Sequence, residues 1–325
     1  MTEGGLDHGG QNQARQASLD ELVAGIRGVG LEAGAVALVH SALSTFGPVA
    51  GGASTVVDAL LQVLGPAGTL VAPTFTFAHE AEVQPIIDPG SDRSEMGAIT
   101  EAIRQHPLAL RSTAFRHSFA AIGPRAEVIT KVDERLSPFD LRSSFGVMLA
   151  LDAQIVLLGV TYASSTSHHF AEWVCDVPYR HTLVRHVRVR RPDGRLVRRR
   201  MVDYQPRPSS DGSYYGTRGA DFNHLGRLLE ERGRVGVAAI ANAIVRRFSM
   251  RDLVDLARRE AARDYNVFRT AEGEAGHVTV LADGQFAVSK DVLDGAGRPG
   301  RHLWSVVDPG RMFDAAPPNE TGSVP

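Results

Sequence analysis

The sequence predicts an α/β fold: a mixed, largely parallel central sheet flanked by helices, with a basic β-hairpin inserted in the C-terminal half. Three observations carry this. The apolar runs Ala35–Val39, Thr69–Ala72 and Gln154–Val160 are continuous rather than alternating, the pattern of strands buried on both faces. The first two flank an apolar-periodic helix, Val56–Leu64, so they form a βαβ unit with parallel strands and a right-handed crossover. Val184–Tyr204 alternates apolar and basic residues around Pro192-Asp193-Gly194, which reads as a hairpin with a tight turn.

The bulk numbers allow a sizeable core: 325 residues, 43% of them hydrophobic. A formal net charge of −2 points to neither nucleic acid nor an anionic membrane as the main partner. A single cysteine, Cys175, rules out an intrachain disulfide. No apolar run approaches the roughly 18 residues of a membrane span, and the N-terminus lacks the basic and apolar regions of a signal peptide. A cytoplasmic protein is the expectation. Three parts follow: a disordered lead-in over 1–16, the principal domain over 17–269, and a C-terminal extension over 270–325 with short strands and a flexible tail.

Taken in order, residues 1–16 are polar and aperiodic. Ser18-Leu19-Asp20-Glu21 is a capping box, opening a short helix that stops near Gly28–Gly30. The strand Ala35–Val39 runs into His40-Ser41-Ala42-Leu43-Ser44-Thr45 and then a glycine-rich turn with Gly51 and Gly52 before the helix Val56–Leu64. The strand Thr69–Ala72 runs into Pro73-Thr74-Phe75-Thr76. Residues 78–95 are polar and irregular, as a lid would be. Met96–Arg104 reads as a helix, His117–Gly123 as a short strand, and Ala126–Val132 and Phe145–Ala150 as helices. After the strand Gln154–Val160 and the hairpin, a Ser/Gly/Pro-rich connection over 205–219 leads to helices from Asp221-Phe222 to Glu231 and over Met250–Arg263. HVTVLA and GQFAVS beyond Thr270 look like short strands.

Three apolar strands thus send their carboxyl ends into polar loops, the place where open α/β sheets bind ligands. The loop before Val56 has the makings of an anion site, with glycines that admit close approach and free N–H groups at the helix start beside Ser54 and Thr55. It is neither a P-loop nor G-x-G-x-x-G, and a glycine turn with a Ser/Thr cap leaves the same trace. The third loop enters a helix carrying His168, His169 and Glu172. An imidazole and a carboxylate three or four residues apart share a helix face, enough for a general base and equally for a surface pair. Zinc is a rival for these residues, with His117 as a further ligand, although H-E-x-x-H and paired cysteines are absent. His117 beside Ser118 fits a structural or binding role. Cys175 could be a nucleophile but carries no mark of a thiolate. A serine hydrolase is disfavoured by the lack of G-x-S-x-G. The hairpin arginines could meet phosphates or form a solvated sheet face.

With these segments laid out, the chain resembles the aminoglycoside 3-N-acetyltransferase family from about Leu22 to Phe268. The matching blocks are VHSALSTFGPVAGGASTVVDALLQVLGPAGTLVAPTFTF, DP followed by S-x-MGAITEA, RS followed by HSFAAIGP, SPF, VLLGVTYASSTSHHFAEWVCDVPYR and GADFNHLGRLLEERG. The resemblance implies acetyl transfer from acetyl-CoA, the acyl-donor substrate, to the 3-amino group of a 2-deoxystreptamine aminoglycoside. It places the family's catalytic histidine on His169 and its glutamate on Glu172. Cofactor contacts fall on Ser41, Leu43, Ser44, Gly51, Gly52 and Ala53, with Thr74 and Thr76 lining the same cleft. No resident metal is implied. In the implied chemistry His169 takes the amine proton in a ternary complex, and backbone N–H groups or the Thr74 hydroxyl stabilise the oxyanion. The chain departs from the family at Ala42, at Ala114-Phe115 where His-Pro is common, at His168 where an apolar residue is usual, and in its long tail. A polycationic substrate calls for an acidic cleft, for which Glu80, Glu82, Asp88, Asp92, Glu95, Asp176 and Asp221 are candidates. The basic ribbon pulls the other way. A biosynthetic acyltransferase for another amine, or a non-catalytic binding protein on the same fold, is therefore the alternative.

Overall fold

The computed structural model describes residues 16–207 and 220–269, together with the backbone of three strands between 278 and 306. The expected lead-in, apart from Gln16, lies outside the described residues, as do 208–219 of the connection and everything after Val306. In chain order the elements are α1 (Leu19–Gly28), β1 (Val36–Ser41), α2 (Ala53–Leu64), β2 (Thr69–Pro73), β3 (Ile86–Ile87), α3 (Ala98–Gln105), β4 (Leu110–Arg111), β5 (Phe119–Ile122), α4 (Ala126–Thr130), α5 (Ser144–Ala150), β6 (Gln154–Leu158), α6 (Ser167–Val174), β7 (Arg180–Arg190), β8 (Leu196–Pro206), α7 (Phe222–Glu231), β9 (Gly236–Ile240), β10 (Ala243–Ser249), α8 (Met250–Ala261), β11 (Val278–Val280), β12 (Phe286–Leu293) and β13 (Pro299–Val306).

The continuous apolar runs become strands because each feeds two cores at once. Along β1, Val36 and Leu38 enter one cluster while Ala37 and Val39 enter the other. On β6 the split is Ile155 and Leu157 against Val156 and Leu158. One face is covered by α1, α2 and α3 through residues such as Leu22, Val56 and Ile99. The other is covered by α4 to α8 through Ile129, Phe145, Phe170, Leu225 and Leu253. The period-2 alternation of side chains across a strand therefore builds a three-layer α/β/α molecule.

The seven-stranded sheet has the order β4-β5-β2-β1-β6-β10-β9. β1 pairs in parallel with β2 and with β6, with Leu38 opposite both Val71 and Ile155. The flanking pairs β2–β5, β4–β5, β6–β10 and β9–β10 are antiparallel. The mixed sheet is as expected, but parallel pairing is confined to the three central strands, fewer than a largely parallel sheet implies. For one of these pairs the reason is connection length: β9 and β10 are joined by Ala241-Asn242 alone, too short for a crossover helix. That hairpin leaves no sequence signal, because its turn lacks Asn-Gly and instead places Ala241 at φ 50°.

The capping box holds: Ser18 Oγ accepts from Glu21 N–H at 3.3 Å and Glu21 Oε2 from Ser18 N–H at 3.0 Å. The basic hairpin forms too, as β7 and β8 in register from Arg180↔Pro206 to Arg190↔Leu196. It belongs to a second sheet, β3-β7-β8, because Ile86 and Ile87 of the polar loop pair in parallel with Arg188 and Val189. A small core of Ile87, Phe115, Val187, Val189 and Met201 sits beneath it. Beyond residue 270, HVTVLA and GQFAVS contribute β11 and part of β12, which with β13 make a separate three-stranded antiparallel sheet.

Candidate active site

Because β2, β1 and β6 are adjacent, the three polar loops leave the sheet side by side at one edge. The loops after β1 and β6 touch. Ala42 N–H donates to the Leu158 carbonyl at 3.0 Å. A Cβ on Gly159, which has φ +71°, would lie 1.7 Å from Thr45 Oγ1. Only glycine fits that approach without displacing the loop. Ser41 ends β1 half-buried, Leu43 packs on the core beneath α1–α3, and Ser44 is exposed on the short turn that follows. Gly51 and Gly52 turn the chain with φ 75° and 67°, and Gly52 caps α2 with no side-chain hydrogen bond. The first N–H groups of α2, beginning at half-buried Ala53, thus keep the partial positive charge that favours an anion.

His169 and Glu172 lie one turn apart on α6, with Nδ1 2.6 Å from Oε2. Glu172 is fully buried, whereas the His169 side chain keeps 26% exposure. Tyr179 Oη donates to Glu172 Oε1 at 3.0 Å, and Arg180 Nε pairs with Oε2 at 2.7 Å. Burial works against the Glu172 charge, yet Arg180 and then His169 outweigh it and hold the carboxyl below its usual range. Arg180 Nη2 also lies 2.8 Å from His169 Nδ1, so carboxylate and guanidinium meet at one ring nitrogen. Nδ1 thus stands between an acceptor and a donor: protonated, it donates to Glu172 Oε2, and bare, it accepts from Arg180 Nη2. The ring is held edge-on by Phe222 at 4.7 Å.

His168, the next residue along, is a core histidine. It is fully buried, stacks on Phe222 at 5.0 Å, and burial lowers its pKa to about 3, so it stays neutral. His117 is likewise enclosed, edge-on to Phe75 and Phe139 at 4.7 and 4.9 Å. Burial first, and Arg116 second, push its pKa well below 6.5. Among the described residues no three of His, Cys, Asp or Glu gather as a metal site. Burial raises the Cys175 thiol to about 11, the opposite of an activated nucleophile.

Thr74 and Thr76 leave β2 towards Arg111 rather than standing free. The Thr74 hydroxyl is fully buried, 3.1 Å from Ser118 Oγ, and accepts from Arg111 Nε at 3.2 Å. Thr76 Oγ1 donates to the Arg93 carbonyl at 3.0 Å and accepts from Arg111 Nη2 at 3.2 Å. The Thr74 hydroxyl is thus already engaged within the protein. Six of the seven acidic candidates are also engaged: Glu80 with Arg116, Glu82 and Asp92 with His79, Asp88 with Arg190, Glu95 with the Ala78 N–H, and Asp221 as the cap of α7. The basic ribbon is partly neutralised in the same way, through Arg185–Asp203, Arg195–Asp193, and Arg191 and Arg199 with Glu134. Sequence reasoning assigned no role to Tyr179 or Arg180. They follow Glu172 by seven and eight residues, past the end of α6, where helical spacing gives no signal.

A family model described as aminoglycoside 3-N-acetyltransferase matches residues 38–261. The chain is 31% identical over 248 residues to an aminoglycoside N(3)-acetyltransferase IV from Salmonella, covering 76% of this chain and 88% of that protein. It is 32% identical over 257 residues to the aminoglycoside N(3)-acetyltransferase VII of Streptomyces paromomycinus, covering 70% and 85%. Among solved structures, the apoenzyme of aminoglycoside acetyltransferase AAC(3)-IVa aligns with a TM-score of 0.63 at 28% identity, over 79% of this chain and 93% of that one.

Proposed function

The chain belongs to the aminoglycoside 3-N-acetyltransferase family, and from that premise we propose that it moves an acetyl group from acetyl-CoA to the 3-amino group of a 2-deoxystreptamine aminoglycoside, with His169 as general base. We assign residues 17–269 as the acyltransferase domain. The observation that supports the base assignment is the 2.6 Å contact between His169 Nδ1 and the buried Glu172 carboxylate; in this reading Nδ1 carries its proton towards Glu172 and Nε2 is the accepting nitrogen.

In this reading acetyl-CoA lies along the loop after β1, with its diphosphate at the Gly51–Ala53 start of α2 and Ser41, Leu43 and Ser44 beside it. An ammonium cannot attack a carbonyl, so the substrate reacts as the free amine, its first proton already lost to solvent, and His169 Nε2 removes a second as nitrogen attacks the thioester carbon. Backbone N–H groups hold the oxyanion. The C–S bond then breaks, the amide is complete, and the proton on the ring passes to the departing sulfur. Glu172 stabilises the imidazolium between the two transfers. Thr74 and Thr76 support the cleft wall through Arg111.

The test is steady-state kinetics with acetyl-CoA and gentamicin, reading CoA release with a thiol reagent. His169→Ala should lower kcat by about 100-fold or more, within the usual range for a lost general base. Unchanged kcat/KM in that variant removes the base assignment. Tight aminoglycoside binding by the native chain with no CoA release would instead make it a binding protein.

A further inference from the structure

Arg180 opens β7 at the foot of the hairpin, and its side chain is 4% exposed. It touches both members of the pair on α6: Nε lies 2.7 Å from Glu172 Oε2, the oxygen that His169 also uses, and Nη2 lies 2.8 Å from His169 Nδ1. The guanidinium is held in place by the Tyr204 ring, 5.1 Å below it, and the Arg180 carbonyl accepts from Arg207 Nε at 3.0 Å. A lone carboxylate buried against an imidazole would strongly favour the doubly protonated ring. Here a fixed cation lies against the same ring and shares the same oxygen.

We infer that Arg180 is a positioning residue of the transfer: it orients Glu172 and, by its charge against the ring, keeps His169 from holding too firmly the proton it takes from the amine. This rests on His169 being the base. The chemistry needs both directions of proton movement: Nε2 gains a proton as the N–C bond forms and gives it up to sulfur as the C–S bond breaks. With Glu172 alone the ring would fill readily and empty poorly. With Arg180 in place the resting trio is one cation, one anion and a neutral ring, and the added proton creates a net positive charge in a largely buried setting.

The test compares the native enzyme with Arg180→Gln and Arg180→Lys in two measurements. One is the titration of the His169 ring by NMR on histidine-labelled protein, its signal assigned by its loss in His169→Gln. The other is the pH profile of kcat/KM with acetyl-CoA and gentamicin. In Arg180→Gln the ring should titrate about one unit higher, in line with removal of a cation at this distance, and the acidic limb of the profile should move up with it. Arg180→Lys keeps the charge, so the ring should titrate near its native value while kcat falls through lost orientation. An unmoved ring in folded Arg180→Gln overturns the inference. So does a ring in Arg180→Lys that has risen by a full unit, a result that stands even if the Gln variant does not fold. A ring that moves while the acidic limb stays fixed supports the role of Arg180 and removes His169 as the base.

Discussion

His168 and His169 are chemically identical and adjacent, yet one is a core residue and the other keeps contact with solvent. Burial separates them first: His168 is fully enclosed and stacked on Phe222, while His169 keeps a quarter of its side chain in solvent and meets Glu172 and Arg180 at Nδ1. The same rule separates Cys175 from a nucleophile. Its thiol, pushed up by burial to about 11, is protonated at neutral pH, so Cys175→Ala should retain kcat within about twofold, and initial-rate patterns should intersect rather than run parallel. Parallel lines in the native enzyme, abolished by that substitution, would restore the covalent route. At this scale the spacing put His169 and Glu172 on one helix face, where they meet, and the family resemblance supplied the roles proposed for them. The sequence reading missed Arg180 and Tyr179 because a contact made from the strand after a helix has no period to betray it.

At the level of elements, the site depends on how closely two loops approach. Gly159 ends β6 in a left-handed conformation against Thr45, on the loop that leads to Gly51 and Gly52. Gly159→Ala adds a Cβ where Thr45 Oγ1 already stands and strains a backbone with φ +71°. It should destabilise the protein by about 1–3 kcal/mol and raise the KM for acetyl-CoA more than that for gentamicin. Chemical denaturation and steady-state kinetics measure both; equal KM values for acetyl-CoA in the two proteins would mean that the contact does not shape the donor side. The polar loop 78–95 is a related case. Its composition is compatible with a lid; in the structure β3 pairs with the hairpin, His79 bridges Glu82 and Asp92, and Arg111 donates to the Pro89 carbonyl at 3.2 Å and also to the Asp92 carbonyl. Polar composition marks a loop as irregular, but its hydrogen bonds decide whether it moves.

At the scale of the molecule, the hairpin sheet meets the seven-stranded sheet through apolar packing and a buried ion cluster. Arg116 joins Asp203 of β8 to Glu80 at 2.9 and 2.7 Å, and all three side chains are largely or fully buried. Burial opposes ionisation of Asp203, but Arg116 and then Arg185 hold its carboxyl far below the usual range. Asp203→Asn withdraws a carboxylate from Arg185 and from Arg116, which keeps Glu80, so it should destabilise the protein by about 2–3 kcal/mol in denaturant unfolding. The sign with pH follows from a depressed native pKa. The stabilisation is fully present above the unfolded value near 3.9 and is lost as pH falls below it, so the difference between native protein and Asp203→Asn should narrow with acidification. A difference that stays constant down to pH 3 would show that the ion pair is not its source.

Much of this was written in the order of the residues: the double-faced strands, the capping box, the βαβ unit, the hairpin and the spacing of His169 and Glu172 all depend on neighbours a few positions away. Local sterics and side-chain periodicity act over such distances, so the pattern is visible in the chain. The antiparallel flanks of the sheet, the engagement of Thr74 with Arg111, the pairing of the hairpin arginines and the seat of Arg180 beside the imidazole are not. Each joins segments far apart in the chain, and which partners meet there is settled by packing, burial and charge balance summed over the folded molecule.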